Sequence, residues 1–233
     1  MRKNPVIVCT VSLLFFLSFT PHSFSEDTQP EIVNAPEGRI PSDAVVLFDG
    51  TGLSKWIYTD GRPAGWIVSD GSLTVRDGGI MTRKEFGDIQ LHVEFATPAE
   101  AKGEGQDRGN SGVYLQGAYE VQVLDSFGNE TYLDGMCGAV YEQYPPLVNA
   151  TRPGGIWQVY DIIFHAPKFD NQGNITKKPD VTVMHNGVLI QDHVEINGTT
   201  RAAPRETEQP TGPIFLQDHG HPVQYRTIWV REL

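Results

Sequence analysis

The chain has 233 residues, 39% of them hydrophobic, and a formal charge of −11 at neutral pH. An acidic chain without a basic cluster lacks the electrostatic footprint that nucleic acid or an anionic lipid surface requires, so both are excluded as partners. Its two cysteines are Cys9 and Cys137, too few for a disulfide framework, and stability must come from an apolar core.

Arg2 and Lys3 form a basic start, Val6 to Phe19 is almost wholly apolar, and Ser23-Phe24-Ser25 offers a small-residue exit. That three-part pattern reads as a secretory signal peptide over 1–25, with an apolar part too short for a comfortable membrane span. A membrane anchor is the weaker reading. The mature protein is then expected to begin near Glu26, to be secreted or periplasmic, and to keep Cys137 alone. Residues 26–43, rich in Pro, Glu, Asp and Ser, read as a flexible lead-in, and 44–233 as a single domain.

Past residue 44 the chain is a series of short alternating runs broken by Gly, Asn, Asp and Pro. The spacing predicts strands at Val45–Phe48, Trp66–Val68, Ser72–Val75, Gly79–Thr82, Asp88–Phe95 and Gly112–Gln116. It predicts others at Tyr119–Leu124, Trp157–Phe164, Val181–His185, Val188–Gln191, Ile214–Asp218 and Tyr225–Val230. Asn186-Gly187 is a type I′ hairpin signal, because both central residues need positive φ. Ser69-Asp70-Gly71 and Arg76-Asp77-Gly78-Gly79 are similar turns. Only Pro98–Lys102 is expected to manage a turn of helix. So many strands without alternating helices predict an all-β antiparallel sandwich. Within it, Leu91, Val93 and Phe95 face the core and Gln90, His92 and Glu94 face solvent.

The run Tyr119-Glu120-Val121-Gln122-Val123-Leu124-Asp125 carries most of the functional information. Period two puts Tyr119, Val121 and Val123 on one face and Glu120 and Gln122 on the other. Asn110 to Gln116 precedes it, and Gly154 to Gln158 and Gln217 to His221 follow. Each sets amide, carboxylate or imidazole beside aromatics, the usual lining of a carbohydrate site. Gln217 and His219 share a face with Phe215, and Gly220 and Pro222 put His219 at a strand end. His165, His185 and His193 read as surface or turn residues.

The motifs Val46-Leu47-Phe48-Asp49-Gly50, Phe86 to Phe95, Gly109 to Gln116, Tyr119 to Asp125, Trp157 to Asp161, Leu216 to Val223 and Tyr225 to Val230 occur in order. In this series the chain resembles the 3-keto-disaccharide hydrolase domain family, a concanavalin A-like lectin/glucanase sandwich of jelly-roll type. Glu120 to Asp125 is also similar to the Glu-x-Asp-x-x-Glu strand of laminarinases and lichenases, but Gln122 replaces the helper Asp and Asp125 the second Glu. A retaining glycosidase needs two carboxyls about 5–5.5 Å apart. The shortened, partly neutralised pair keeps the place of the site and argues against that double displacement.

The resemblance implies a sugar oxidised to a ketone at C3. The C2 proton is then acidic, and the C1 oxygen lies β to the carbanion. A base can remove the C2 proton while an acid protonates the departing oxygen, and water adds back to give net hydrolysis. Glu120 and His219 are the expected catalytic pair, in either order of roles. Asn110, Gln116, Gln122, Gln158, Gln217 and Arg226 are expected to hold the substrate. No obligatory cofactor is expected; a divalent metal on Glu120, His219 and His221 is the alternative. The rival function is a non-catalytic, lectin-like carbohydrate-binding module.

Overall fold

The computed structural model describes residues 30–36, 40–100 and 102–233. The expected signal peptide lies outside the described residues, as do 26–29 and 37–39 of the expected lead-in. The body described below is Val33–Leu233. Within the expected lead-in, the Ser42 amide donates to the Asn34 carbonyl at 2.9 Å, and Asp43 pairs with Arg231 at 2.6 Å.

Strands are numbered in chain order. The larger sheet holds β1 (Val45–Phe48), β3 (Ile67–Ser69), β4 (Ser72–Thr74), β6 (Ile89–Ala96), β9 (Gln158–His165), β12 (Asp180–His185), β13 (Val188–Glu195) and β15 (Gln224–Glu232). Its order is β13-β12-β9-β6-β15-β4-β3, with β1 also paired to β15. The smaller sheet holds β2 (Trp56–Tyr58), β5 (Ile80–Phe86), β7 (Ser111–Leu115), β8 (Tyr119–Val123) and β14 (Gly212–Leu216), in the order β2-β5-β14-β7-β8. A separate ribbon pairs β10 (Lys168–Phe169) with β11 (Ile175–Lys177). Every pairing between strands is antiparallel, and the two main sheets form the expected sandwich.

The core lies where the alternation predicts. Leu91, Val93 and Phe95 of β6 and Tyr160, Ile162 and Phe164 of β9 are buried, as are Val113, Leu115, Tyr119, Val121 and Val123 of β7 and β8. Each such side chain contributes roughly 1.5–3 kcal/mol by leaving water. Cys137 is a free, buried thiol whose Sγ lies 3.0 Å from Oη of Tyr160. The Asn186-Gly187 turn has φ of 54° and 79°, as a type I′ hairpin requires.

Several expectations are corrected. The described residues of Pro98–Lys102 are not helical; the helical element among the described residues is a 3-10 turn at Leu133–Gly135. β5 continues to Phe86, and β2, β10 and β11, two or three residues each, were too short to show a period. His185 is fully buried, with Nε2 2.9 Å from Oε1 of Gln158. Burial, with Arg152 nearby, pushes its imidazole down to about 4. His92 and Glu94 do lie on the outer face of β6, yet they are half-buried. Burial alone would lower the His92 pKa, but hydrogen bonds to Asp161 and Glu94 outweigh it and hold the ring at about 9.

Candidate active site

β7 is the strand that builds the site, because it lies between β14 and β8. Across β7 and β8, Tyr114 stands opposite Glu120 and Gly112 opposite Gln122. With the odd-numbered apolar residues of β8 turned into the core, Glu120 and Gln122 share the opposite face with Tyr114. Gly112 makes room there: a Cβ at that position would lie 2.3 Å from Oε1 of Glu120 and 2.8 Å from the Tyr114 ring.

β14 stops at Leu216, but the next residues stay pinned to β7. The Gln217 amide donates to the Gly112 carbonyl at 3.0 Å, and Oγ of Ser111 donates to the Gln217 carbonyl at 2.6 Å. Gln217 and His219 are thereby held over the site although β14 ends before them, two residues short of the expected end at Asp218. The outer edge of β8 is covered by two later segments. Gly138–Tyr141 pairs with Gln122 and Glu120 along the backbone, and the Glu120 amide donates to Oγ1 of Thr200 at 3.0 Å. These bring Tyr141 and Arg201 to the rim, where Arg201 pairs with Glu142 at 3.0 Å.

One cavity of about 50 Å³ is lined by Asn110, Tyr114, Glu120, Gln122, Tyr141, Arg201, Ala202, Gln217 and His219. Glu120 is 2% exposed. Burial pushes its carboxyl up to about 8, against the hydrogen bond from Tyr114, and Glu142 adds a smaller push in the same direction. Nε2 of Gln217 donates to Oη of Tyr114 at 2.9 Å, and that hydroxyl donates to Oε2 of Glu120 at 2.7 Å. Oε1 is left facing the space above Gly112. The Tyr114 hydroxyl is itself held protonated by burial and by Glu120.

Gln106, which the sequence reading did not single out, organises the amide wall. Its Nε2 donates to the Gly135 carbonyl and to Oγ1 of Thr131, each at 2.8 Å. Its Oε1 accepts from Nε2 of Gln122 at 2.9 Å, and its main-chain carbonyl accepts from Nδ2 of Asn110 at 2.9 Å. With both amino groups engaged, Oε1 of Gln122 is buried and unpaired. A buried acceptor in that state calls for a donor, and a sugar hydroxyl is one.

Five of the eight expected site residues line this cavity: Glu120, His219, Asn110, Gln122 and Gln217. Three lie elsewhere. Gln116 shares their strand parity, but its φ of 54° turns it away, and its amide donates to the carbonyls of Phe86 and Pro210. Gln158 belongs to β9, where Oε1 accepts from the Arg152 amide and bonds His185. Arg226 lies on β15, paired with Glu94 at 2.5 Å and stacked 4.2 Å above the Trp157 ring. Tyr114, Tyr141 and Arg201 were missed. Hairpin register around Gly117 was a usable signal for Tyr114; Tyr141 and Arg201 arrive from loops that strand parity does not reach. Among the described residues no three His, Cys, Asp or Glu side chains gather where they could hold a metal, so Glu120, His219 and His221 do not form such a set. His221 instead lies 3.4 Å from Asp107.

An antiparallel sandwich with a buried carboxylate, an imidazole and an amide wall in one cavity is a carbohydrate-active architecture of glycosyl hydrolase kind. The family model for the 3-keto-alpha-glucoside-1,2-lyase-like domain matches residues 43–231, and the chain belongs to that family. Among solved structures, the chain is similar to a candidate glycosyl hydrolase from Parabacteroides distasonis at 45% identity and a TM-score of 0.85, covering 91% of this chain and 95% of that one. A second candidate glycosyl hydrolase from the same organism shares the fold at 20% identity and a TM-score of 0.60, over 82% of this chain and 94% of that one. No curated protein matches the sequence.

Proposed function

We propose that the protein acts after export on 3-keto-glucosides, 3-keto-disaccharides among them, and cleaves them by elimination followed by rehydration. The observation that carries this reading is Glu120: a carboxyl raised to about 8 by burial, anchored through one oxygen by Tyr114, in the same cavity as His219. The family description, a 1,2-lyase-like domain, supports the same chemistry.

In this reading Oε1 of Glu120 takes the C2 proton. Burial favours the neutral carboxylic acid, so the desolvated carboxylate is a stronger base than one in water. The electron pair passes toward the C3 oxygen as an enolate, with Arg201 supplying positive charge on the same wall. The C1–O bond then breaks as His219 protonates the departing oxygen, leaving a C1=C2 enone. Water adds to C1 and a proton returns to C2, which completes net hydrolysis. The Gln122 and Gln217 side chains hold the ring hydroxyls.

The test is incubation of the purified protein with a 3-keto-glucoside and with its unoxidised parent, in H₂O and in D₂O, beside enzyme-free controls. The expected result is aglycone release from the ketone alone and deuterium at C2 above the non-enzymatic baseline. Equal cleavage of the parent with no such label would overturn the elimination, and binding without cleavage would leave a lectin-like module.

A further inference from the structure

Elimination collects negative charge on the C3 oxygen, and the wall around Glu120 has few donors to meet it. The amino groups of Asn110 and Gln122 are committed to Gln106, the Tyr114 hydroxyl to Glu120, and one hydrogen of Gln217 to Tyr114. Arg201 sits at the rim with its side chain 74% exposed and paired with Glu142, so solvent and a neighbouring carboxylate weaken its charge. The hydroxyl that remains on the cavity wall is that of Tyr141.

Two loops place it. The Tyr141 amide donates to the Glu120 carbonyl at 3.2 Å, on the edge of β8 that faces away from β7. Tyr114 and Tyr141 therefore flank Glu120 from opposite sides. The Glu142 amide donates to the Asp134 carbonyl at 2.9 Å, which ties this segment to the turn at Leu133–Gly135. At the start of that turn Tyr132 reaches back, and its Oη lies 2.6 Å from Oη of Tyr141. Gly135 permits the reach: a Cβ there would lie 2.1 Å from the Tyr132 ring. Its carbonyl is also the one that orients Gln106. Burial, and then the bond to Tyr132, push the Tyr141 hydroxyl above its ordinary pKa of 10. It is a neutral donor throughout the range in which Glu120, at about 8, gives up its proton.

The ketone oxygen is two bonds from C2, so a donor for it belongs beside the base that takes the C2 proton. Resting on the reading of Glu120 above, we propose that Tyr141 is a catalytic residue whose hydroxyl donates to the C3 oxygen, and that Tyr132 is the positioning residue that donates in turn to Tyr141. As Oε1 of Glu120 takes the C2 proton, the C–H electron pair forms the C2=C3 bond and the carbonyl pair moves to oxygen. Tyr141 keeps its proton and tightens its hydrogen bond to the new oxyanion. With Tyr132 donating from behind, the Tyr141 proton is directed at the substrate.

The test isolates enolisation from bond cleavage. In 1,5-anhydro-3-keto-glucitol no aglycone can leave C1, so deuterium entering C2 in D₂O, above an enzyme-free control, reads proton removal alone. Tyr141→Phe should lower this exchange, and kcat on a 3-keto-glucoside, by about 10²-fold, the usual loss for one oxyanion donor, with KM within about threefold. Tyr132→Phe should lower both by about tenfold, again in kcat rather than KM. Thermal melting within a few degrees of wild type certifies the fold. Tyr132 is 43% exposed, so its variant carries the test alone should Tyr141→Phe fail to fold. Exchange at the wild-type rate in either variant, or a loss confined to KM, would overturn the donor pair while the elimination reading stood. A wild type that exchanges no faster than the control would overturn both.

Discussion

Oη of Tyr114 donates to Oε2 of Glu120 across 2.7 Å from directly opposite positions on β7 and β8. The bond lowers the Glu120 pKa, while burial, the larger effect, raises it to about 8. A base with that pKa is mostly protonated at pH 7, so kcat/KM should rise with pH and level off above about 8. Tyr114→Phe removes the influence that holds the pKa down. The rising limb should move to higher pH, with activity at pH 7 falling about tenfold. A pH profile of both proteins measures this. A limb that falls through pH 8, or one that Tyr114→Phe leaves in place, would reverse the role given to Glu120.

The same carboxyl makes stability depend on pH. Its folded pKa of about 8 lies above the ordinary 4.5, so the folded state binds the proton more tightly than the unfolded one. This contribution is fully present below about pH 4.5 and is lost as pH rises through about 8. Glu120→Gln carries no ionisable group there. Its unfolding free energy should therefore improve relative to wild type between pH 5 and pH 9, by an amount on the order of a few kcal/mol, read as a Tm that rises against that of wild type over the same range. Parallel melting curves across that range would mean that Glu120 is ionised in the folded protein. The substitution should still cost about 10²-fold or more in rate.

Gly112→Ala separates activity from fold. The new Cβ would sit 2.3 Å from Oε1 of Glu120 and 2.8 Å from the Tyr114 ring, so the carboxyl is displaced and the ring must give way with it while the backbone pairing of β7 is untouched. A base displaced by about 1 Å costs on the order of 10²-fold. Kinetics and thermal melting on one preparation should show that loss with Tm changed by only a few degrees. Full activity would mean that Oε1 need not occupy this position.

Much of this architecture is legible from period and turns. β6 and β8 each bury one face, so Leu91, Val93 and Phe95, like Val121 and Val123, announce their orientation by alternation. The same parity put Glu120, Gln122 and Asn110 together. It failed where the backbone leaves the strand: Gln116 sits at positive φ, and one turn of φ redirects its amide to Phe86 and Pro210. Thr227 does the same to β15, its φ of 45° falling at a register shift between Arg226 and Ile228. Tyr114 was hidden because an aromatic in a strand reads as core. Arg201 was hidden because it lies 81 positions along the chain from Glu120, on the connection between β13 and β14, which carries no period.

Gln106 is the residue whose role is least visible in sequence and most constrained in space. The Gly135 carbonyl can only accept, so the Gln106 amide has one orientation, and its Oε1 then fixes Nε2 of Gln122. The Gln122 oxygen is left buried and unpaired on the cavity wall. Gln106→Met keeps the volume and removes both bonds. Gln122 can then rotate, and its oxygen no longer waits for a substrate hydroxyl. A neutral hydrogen bond is worth about 0.5–1.5 kcal/mol, so KM should rise roughly 2–10-fold, with kcat changing less because neither the base nor the acid has moved. Gln106→Glu should recover part of the loss, since its carboxylate still accepts from Gln122 while losing the donor to Gly135. Steady-state kinetics on the three proteins decides the matter: an unchanged KM in Gln106→Met would show that the orientation of Gln122 does not serve substrate binding.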